Sequence, residues 1–238
     1  MLHVSMMVSG LRGARLVDLS QTLEEHMPHY PTHSKFFHNL WGSYWHGDRA
    51  LTYQLVMNEH NGTHVDAPAH FISDANPSAH VTIDRVPLEQ LAGRGLRLDC
   101  RGFAEGDYVS REFIQQWEAS HQAILPNDIV LFDFGWSGRW GLRSQNLRYA
   151  SGWPGIGQQA AEYLVGKPVA ALGVDTLSPD PPAALAAKPI HPFVLEHQVL
   201  IIENLARLEE LPDIFLFLAF PLKIRDGSGS PIRAVAFF

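Results

Sequence analysis

Between residues 60 and 71 the chain reads HNGTHVDAPAHF, which puts three histidines and an aspartate into twelve positions. Imidazole nitrogen and carboxylate oxygen are donors that zinc, manganese and iron accept, so the chemistry on offer is metal coordination. Gly62 and Pro68 both oppose a helix here. In an extended chain side chains alternate between faces, and His60, His64, Asp66 and His70 all carry even numbers, so the reading places them on one face. His64 and Asp66 would then stand about 6.5 to 7 Å apart at Cα, within reach of one ion or two adjacent ones. A carboxylate can bridge two ions with its two oxygens, which makes Asp66 the bridging candidate. Gly62 permits positive φ or a close backbone approach, and Pro68 sets the exit turn.

Two blander readings compete. With 13 histidines in the chain some clustering is expected by chance, and Asn61-Gly62-Thr63 spells a glycosylation acceptor. Four candidate ligands on one face of a Gly/Pro-broken segment exceed what chance supplies. The acceptor needs the secretory route, whereas MLHVSMMVSGLRGARLV lacks a basic start followed by a continuous apolar stretch. No run approaches the roughly 18 apolar residues of a membrane span. The expectation is a cytoplasmic protein with no membrane partner.

Bulk properties narrow the classes further. The 238 residues are 46% hydrophobic and 18% charged, the profile of an ordinary globular protein with a real core. A formal net charge of -7 argues against a nucleic-acid partner bound through a basic surface. Cys100 is the single cysteine, so intrachain disulfides and thiolate zinc knuckles are excluded.

The elements that must position these residues read as an α/β fold. Residues 1–14 form a flexible, frayed extension, and 15–238 one domain with its first strand at 15–19. Residues 26–48 make a long ordered loop. Residues 51–57 alternate apolar and polar as a half-buried strand does, and run straight into the His-rich segment. Helices are expected at 87–92 and 110–120, the latter capped by Ser110. Apolar runs at 129–134 and 169–174 flank a helical pattern at 156–165, a strand-helix-strand unit that implies a partly parallel sheet. Further strands are expected at 199–202, 214–220 and 232–238, and the coil at 135–154 has the length of an active-site loop.

HNGTHVDAPAHF resembles the signature H-x-G-T-H-x-D-x-P-x-H of the cyclase-like metal-dependent hydrolases, the family of bacterial kynurenine formamidase and isatin hydrolase. The resemblance continues through Asp18-Leu-Ser, GVDTLSPD at 173–180, the stretch 191–205 ending in Glu-Asn-Leu, and FPLKIRDGSGSPIRAVA. It implies a site for one or two Zn2+ ions, with Mn2+ as the alternative, held by His60, His64, Asp66, His191 and Glu203. It implies His70 as the catalytic acid-base group. His191 precedes Pro192, which can begin a helix, and Glu203 ends the apolar strand VLIIE. His197, six residues on, is a rival to His191.

The implied fold is a three-layer β/β/α arrangement with a mostly parallel sheet and a second antiparallel sheet. The implied activity is arylformamidase, cleaving N-formylkynurenine to kynurenine and formate. The alternatives are hydrolysis of a cyclic amide or ester such as isatin, or a non-catalytic metal-binding protein on the same scaffold. The expected partner is a small aromatic amide or lactam, met by Phe37, Trp41 and Trp45, and the expected assembly is a homodimer or homotetramer. A serine hydrolase is disfavoured, because Gly135-Trp-Ser137-Gly138-Arg139 lacks the last glycine of a nucleophile elbow.

Overall fold

The runs Ile129–Asp133 and Ala171–Val174 are buried along their whole length, as strands covered on both faces must be. The structure is a computed structural model that describes residues 3–142 and 146–238. Its strands begin with β1 (Leu16–Asp18), β2 (Phe37–Gly42), β3 (Thr52–Val56), β4 (His64–Asp66), β5 (Ala92–Asp99), β6 (Tyr108–Val109) and β7 (Ile129–Asp133). They continue with β8 (Gly155–Ile156), β9 (Ala171–Val174), β10 (Leu200–Glu203), β11 (Ile214–Leu218), β12 (Gly229–Pro231) and β13 (Val235–Phe237). The helices are α1 (Val4–Gly13), α2 (Arg111–Ser120), α3 (Asn146–Tyr149), α4 (Gln158–Val165), α5 (Pro182–Ala187) and α6 (His191–Glu196).

Nine strands form one mixed sheet in the order β1-β13-β11-β5-β7-β9-β10-β4-β12. The centre, β5-β7-β9-β10, is parallel, and both flanks are antiparallel. The expected α/β fold is present, and its parallel unit is β7-α4-β9. The antiparallel strands join the parallel ones in a single sheet. One core holds Val130 and Phe132 of β7 with Ile114, Trp117, Ala161 and Leu164 of α2 and α4. The alternate residues Ile129 and Leu131 share a second core with Val17, Phe217 and Ala236 of the distant antiparallel flank. Strands so far apart in the order can meet in one core only if the sheet curls on itself. The curl gives three layers: helices, parallel centre and antiparallel flank.

Several elements depart from the sequence reading. The N-terminal extension is helical over Val4–Gly13 and buries none of its residues. Ser110 caps α2 as expected, its Oγ accepting from Phe113 N at 3.2 Å. The helix expected at 87–92 is a single 3-10 turn, Leu88–Leu91, after which the chain enters β5. That strand escapes a hydropathy reading because Gly93, Arg94, Gly95 and Arg97 interrupt its apolar run. Arg97 is nonetheless buried, with Nε 2.9 Å from Asp133 Oδ2 and Nη1 donating to Leu211 O at 2.9 Å. The strand expected at 51–57 exists as β3, but it is exposed on both faces and pairs only with β2, inside the stretch read as loop.

Candidate metal centre

β4 lies between β10 and β12, antiparallel to each, with His64 opposite Glu203 and Asp66 opposite both Ile201 and Gly229. Directly paired residues project to the same face. Val65 and Ile202 therefore enter the core under the curled flank, while His64, Asp66 and Glu203 turn to the helix side. There α6 delivers His191 from its first turn.

His64 and Asp66 share a face of β4 as alternation requires, whereas the chain bearing His60 and His70, on either side of the strand, is not extended. Residues 59–63 form a turn and Pro68–His70 a 3-10 helix, so His60 and His70 arrive by backbone reversal. In that turn Asn58 Oδ1 accepts from His60 N at 2.9 Å, and Asn61 Oδ1 accepts from Asn58 N at 2.8 Å. Gly62 has φ +65°, and a Cβ there would stand 2.4 Å from Leu23 Cδ2. Gly229 supplies the second close approach, since its Cβ would meet His60 Cε1 at 2.6 Å. Asn61 is fully buried, which removes it as a glycosylation acceptor on structural grounds.

The result is a buried cluster of three imidazoles and two carboxylates. His60 Nδ1 is 2.6 Å and His64 Nε2 3.4 Å from Asp66 Oδ1. His191 Nε2 lies 3.5 Å from Asp66 Oδ2 and 3.1 Å from Glu203 Oε1, and His64 Nε2 lies 3.3 Å from Glu203 Oε2. Two ligand triads result, His60-His64-Asp66 and Asp66-His191-Glu203, each with donor atoms within 4.8 Å of one another. Asp66 belongs to both. His197, the rival to His191, is exposed, with Nδ1 2.7 Å from Phe193 O.

Outer contacts fix the rings. His64 Nδ1 is 2.9 Å from Gly62 O, which leaves Nε2 for the cluster, and His191 Nδ1 is 2.5 Å from Asp180 Oδ2. His60 Nε2 is 2.9 Å from Ser228 Oγ, which in turn donates to Glu59 Oε2 at 2.7 Å. Such partners orient metal-binding imidazoles. Asp180, Ser228 and Gly229 were not assigned from the sequence. The usable signal was Asp180 itself, the single charged residue of the proline-rich run LSPDPPAAL.

The electrostatics fit a cation. Burial opposes charging of His64, yet hydrogen bonds to Asp66 and Glu203 outweigh it and raise its pKa to about 10. His191 is also raised: burial opposes, and Asp180, Asp66 and Glu203 prevail. Two buried carboxylates thus draw protons onto neighbouring imidazoles, and a divalent ion would neutralise them instead. The N/O donor set suits zinc or manganese.

His70 differs. Its ring stacks on His60 at 4.0 Å, outside both triads. Burial, the dominant cause, lowers its pKa to about 4; His60 and His191 push the same way and Asp66 opposes. At neutral pH His70 is an uncharged proton acceptor.

The cluster opens into a cavity of ≈ 230 Å³ whose other walls include Tyr30, His33, Phe71, Leu177 and Leu185. His33 also lines it, its ring 5.5 Å from that of His60. The aromatics Phe37, Trp41 and Trp45 do not: they sit on and beside the β2-β3 hairpin, with Trp41 76% and Trp45 68% exposed. Flat side chains in the cavity wall are Tyr30 and Phe71, while β2 and β3 pair with each other and not with the main sheet.

Residues 17–181 match the family model described as "Putative cyclase". The chain belongs to the cyclase family. An isatin hydrolase of Roseibium aggregatum is 32% identical over 195 residues, covering 76% of this chain and 73% of that protein. A kynurenine formamidase of Erythrobacter litoralis is 28% identical over 93% of each chain. The solved isatin hydrolase A of Ralstonia solanacearum superposes with a TM-score of 0.90 at 29% identity, covering 100% of this chain and 97% of that one. Among the described residues of this family member, no helix is long and apolar enough to cross a membrane.

Proposed function

We propose that this chain is a metal-dependent hydrolase of small aromatic amides, with N-formylkynurenine as its substrate and kynurenine and formate as products. The observation that carries the reading is the division of labour around Asp66: two triads share it, and a neutral His70 stands against them without joining either. In this reading His60, His64, Asp66, His191 and Glu203 hold one or two divalent cations, zinc or manganese. A cation there supplies Lewis acidity toward a carbonyl and lowers the pKa of water. His70 accepts the proton of the attacking water on its ring nitrogen and returns it to the leaving nitrogen. Tyr30, Phe71 and Leu177 hold the aromatic ring and exclude bulk water.

A second reading, isatin or a related lactam, draws on the cavity wall. Among the described residues that line it there is no Lys or Arg to meet the α-carboxylate of N-formylkynurenine, and isatin needs no such partner. Turnover of both compounds by protein loaded with Zn2+ or Mn2+, with and without dipicolinate, tests the proposal. Chelator-sensitive release of formate supports the first reading, and isatin opening without formamidase activity supports the second. Chelator-resistant turnover would overturn both.

The assembly belongs to the same reading. A homodimer or homotetramer would cover two apolar surfaces that this chain leaves bare: α1, with Val4 and Met6 72% and 69% exposed, and the aromatic hairpin. Light scattering on the eluting protein measures this directly.

A further inference from the structure

Beside the reactive cavity lies a second, more open one of ≈ 570 Å³, lined by Tyr30, Pro31, Ser151, Trp153, Pro182 and Leu185 among others. The two share Tyr30 and Leu185, so these side chains form the wall between them. The outer cavity carries no charged residue among its described lining. Its position is tied to the cluster through Asp180. That carboxylate holds His191 at 2.5 Å and accepts from Ile190 N at 2.7 Å, while its backbone O accepts from Trp153 Nε1 at 2.8 Å. Pro181 and Pro182 follow directly and start α5, which bears Leu185.

We propose that the outer cavity is a subsite for an uncharged apolar substituent on the substrate's aromatic ring, reached past Tyr30 and Leu185. The inference rests on the coarser part of that reading, hydrolysis of an aromatic amide, and departs from N-formylkynurenine, whose ring carries a charged amino-acid chain that this uncharged lining would not take. The inner volume alone falls below the ~300–1,000 Å³ of common ligand pockets, whereas the two together lie within that range. An amide at the cluster and a ring against Phe71 and Leu177 fill the inner space. A para-alkyl chain then leaves the ring toward the wall, onto Trp153 and Pro182. The lining has no cation or anion to offer a charged group, and burying such a group there would be costly.

The test compares formanilide with 4-butylformanilide in the metal-loaded protein, and aniline with 4-butylaniline by calorimetric binding. The butyl compounds should show a KM and a Kd lower by at least about tenfold, the effect of burying roughly two methylenes, with kcat little changed. Leu185→Trp, and separately Ser151→Trp in the exposed loop, should bring the butyl-to-parent ratio near one. Equal affinities in the unaltered protein, or ratios untouched by both variants, would overturn the subsite. Failure of the amide reading is distinguishable: neither formanilide would turn over, while the calorimetric ratio would still report on the subsite.

Discussion

Two neighbouring stretches of this chain invert the ordinary rule of burial. Residues 60–66 carry three ionisable side chains and are buried throughout. Residues 37–56, just before them, carry Phe37, Leu40, Trp41, Tyr44, Trp45, Tyr53 and Leu55, all exposed. Ionisable groups are rarely buried unless paired, and large apolar groups are rarely left together in water. Each of these stretches is accounted for by one part of the proposed function. For the first stretch that part is a divalent cation, which would neutralise Asp66 together with Glu203 of β10. For the second it is the homodimer or homotetramer, which would cover a two-stranded hairpin that alone has little to hold it.

The largest expected effect tests the first stretch. His64→Ala should remove metal and activity together, by more than the roughly 10–100-fold that losing an outer partner costs; metal content by mass spectrometry of the native protein checks it. His70→Ala should keep the metal and lose about 10²–10⁴-fold in turnover. A His70 variant with parental kcat would end its assignment to proton transfer. Next comes Asp180→Asn, which leaves all five cluster residues in place and should weaken metal affinity by about 10–100-fold through His191; competition with a chelating dye measures it.

A pH experiment sharpens the same side. The folded-state pKa of His64 is raised from 6.5 to about 10, so in metal-free protein its contribution to stability is fully present below about 6.5. That contribution is lost as pH rises through about 10. Metal-free protein should therefore fall in Tm between pH 6.5 and 10, and Zn2+-loaded protein should fall less, because the imidazole is already deprotonated by the ion. The smallest effect concerns the second stretch. Trp41→Ser and Trp45→Ser should shift the chain toward smaller species in light scattering while changing the unfolding free energy of the isolated chain by no more than about 0.5 kcal/mol.

The sequence exposed the ligand types in HNGTHVDAPAHF and the parallel unit around α4, because local composition and apolar periodicity carry both. Even numbering put four residues on one face, but only β4 is extended, and His60 and His70 reach the cluster by turns that periodicity does not register. The hairpin reversed its expectation as well: alternation in 51–57 signalled a half-buried strand, yet alternation cannot tell whether a neighbour exists to bury it.

What the sequence determined by itself was chemistry: donor atoms, a glycine at a position needing positive φ, and a proline after the candidate ligands. The resemblance named the distant groups His191 and Glu203, and only the tertiary structure shows how they reach the first segment. Glu203 faces His64 because β10 pairs with β4 in that register, and His191 arrives because α6 packs over the same face. It also separated His191 from His197, six residues apart, and brought Asp180 to the buried one. Those choices are made by sheet register and by the curl that forms two cores. Both depend on contacts between residues more than a hundred positions apart, which no local pattern encodes.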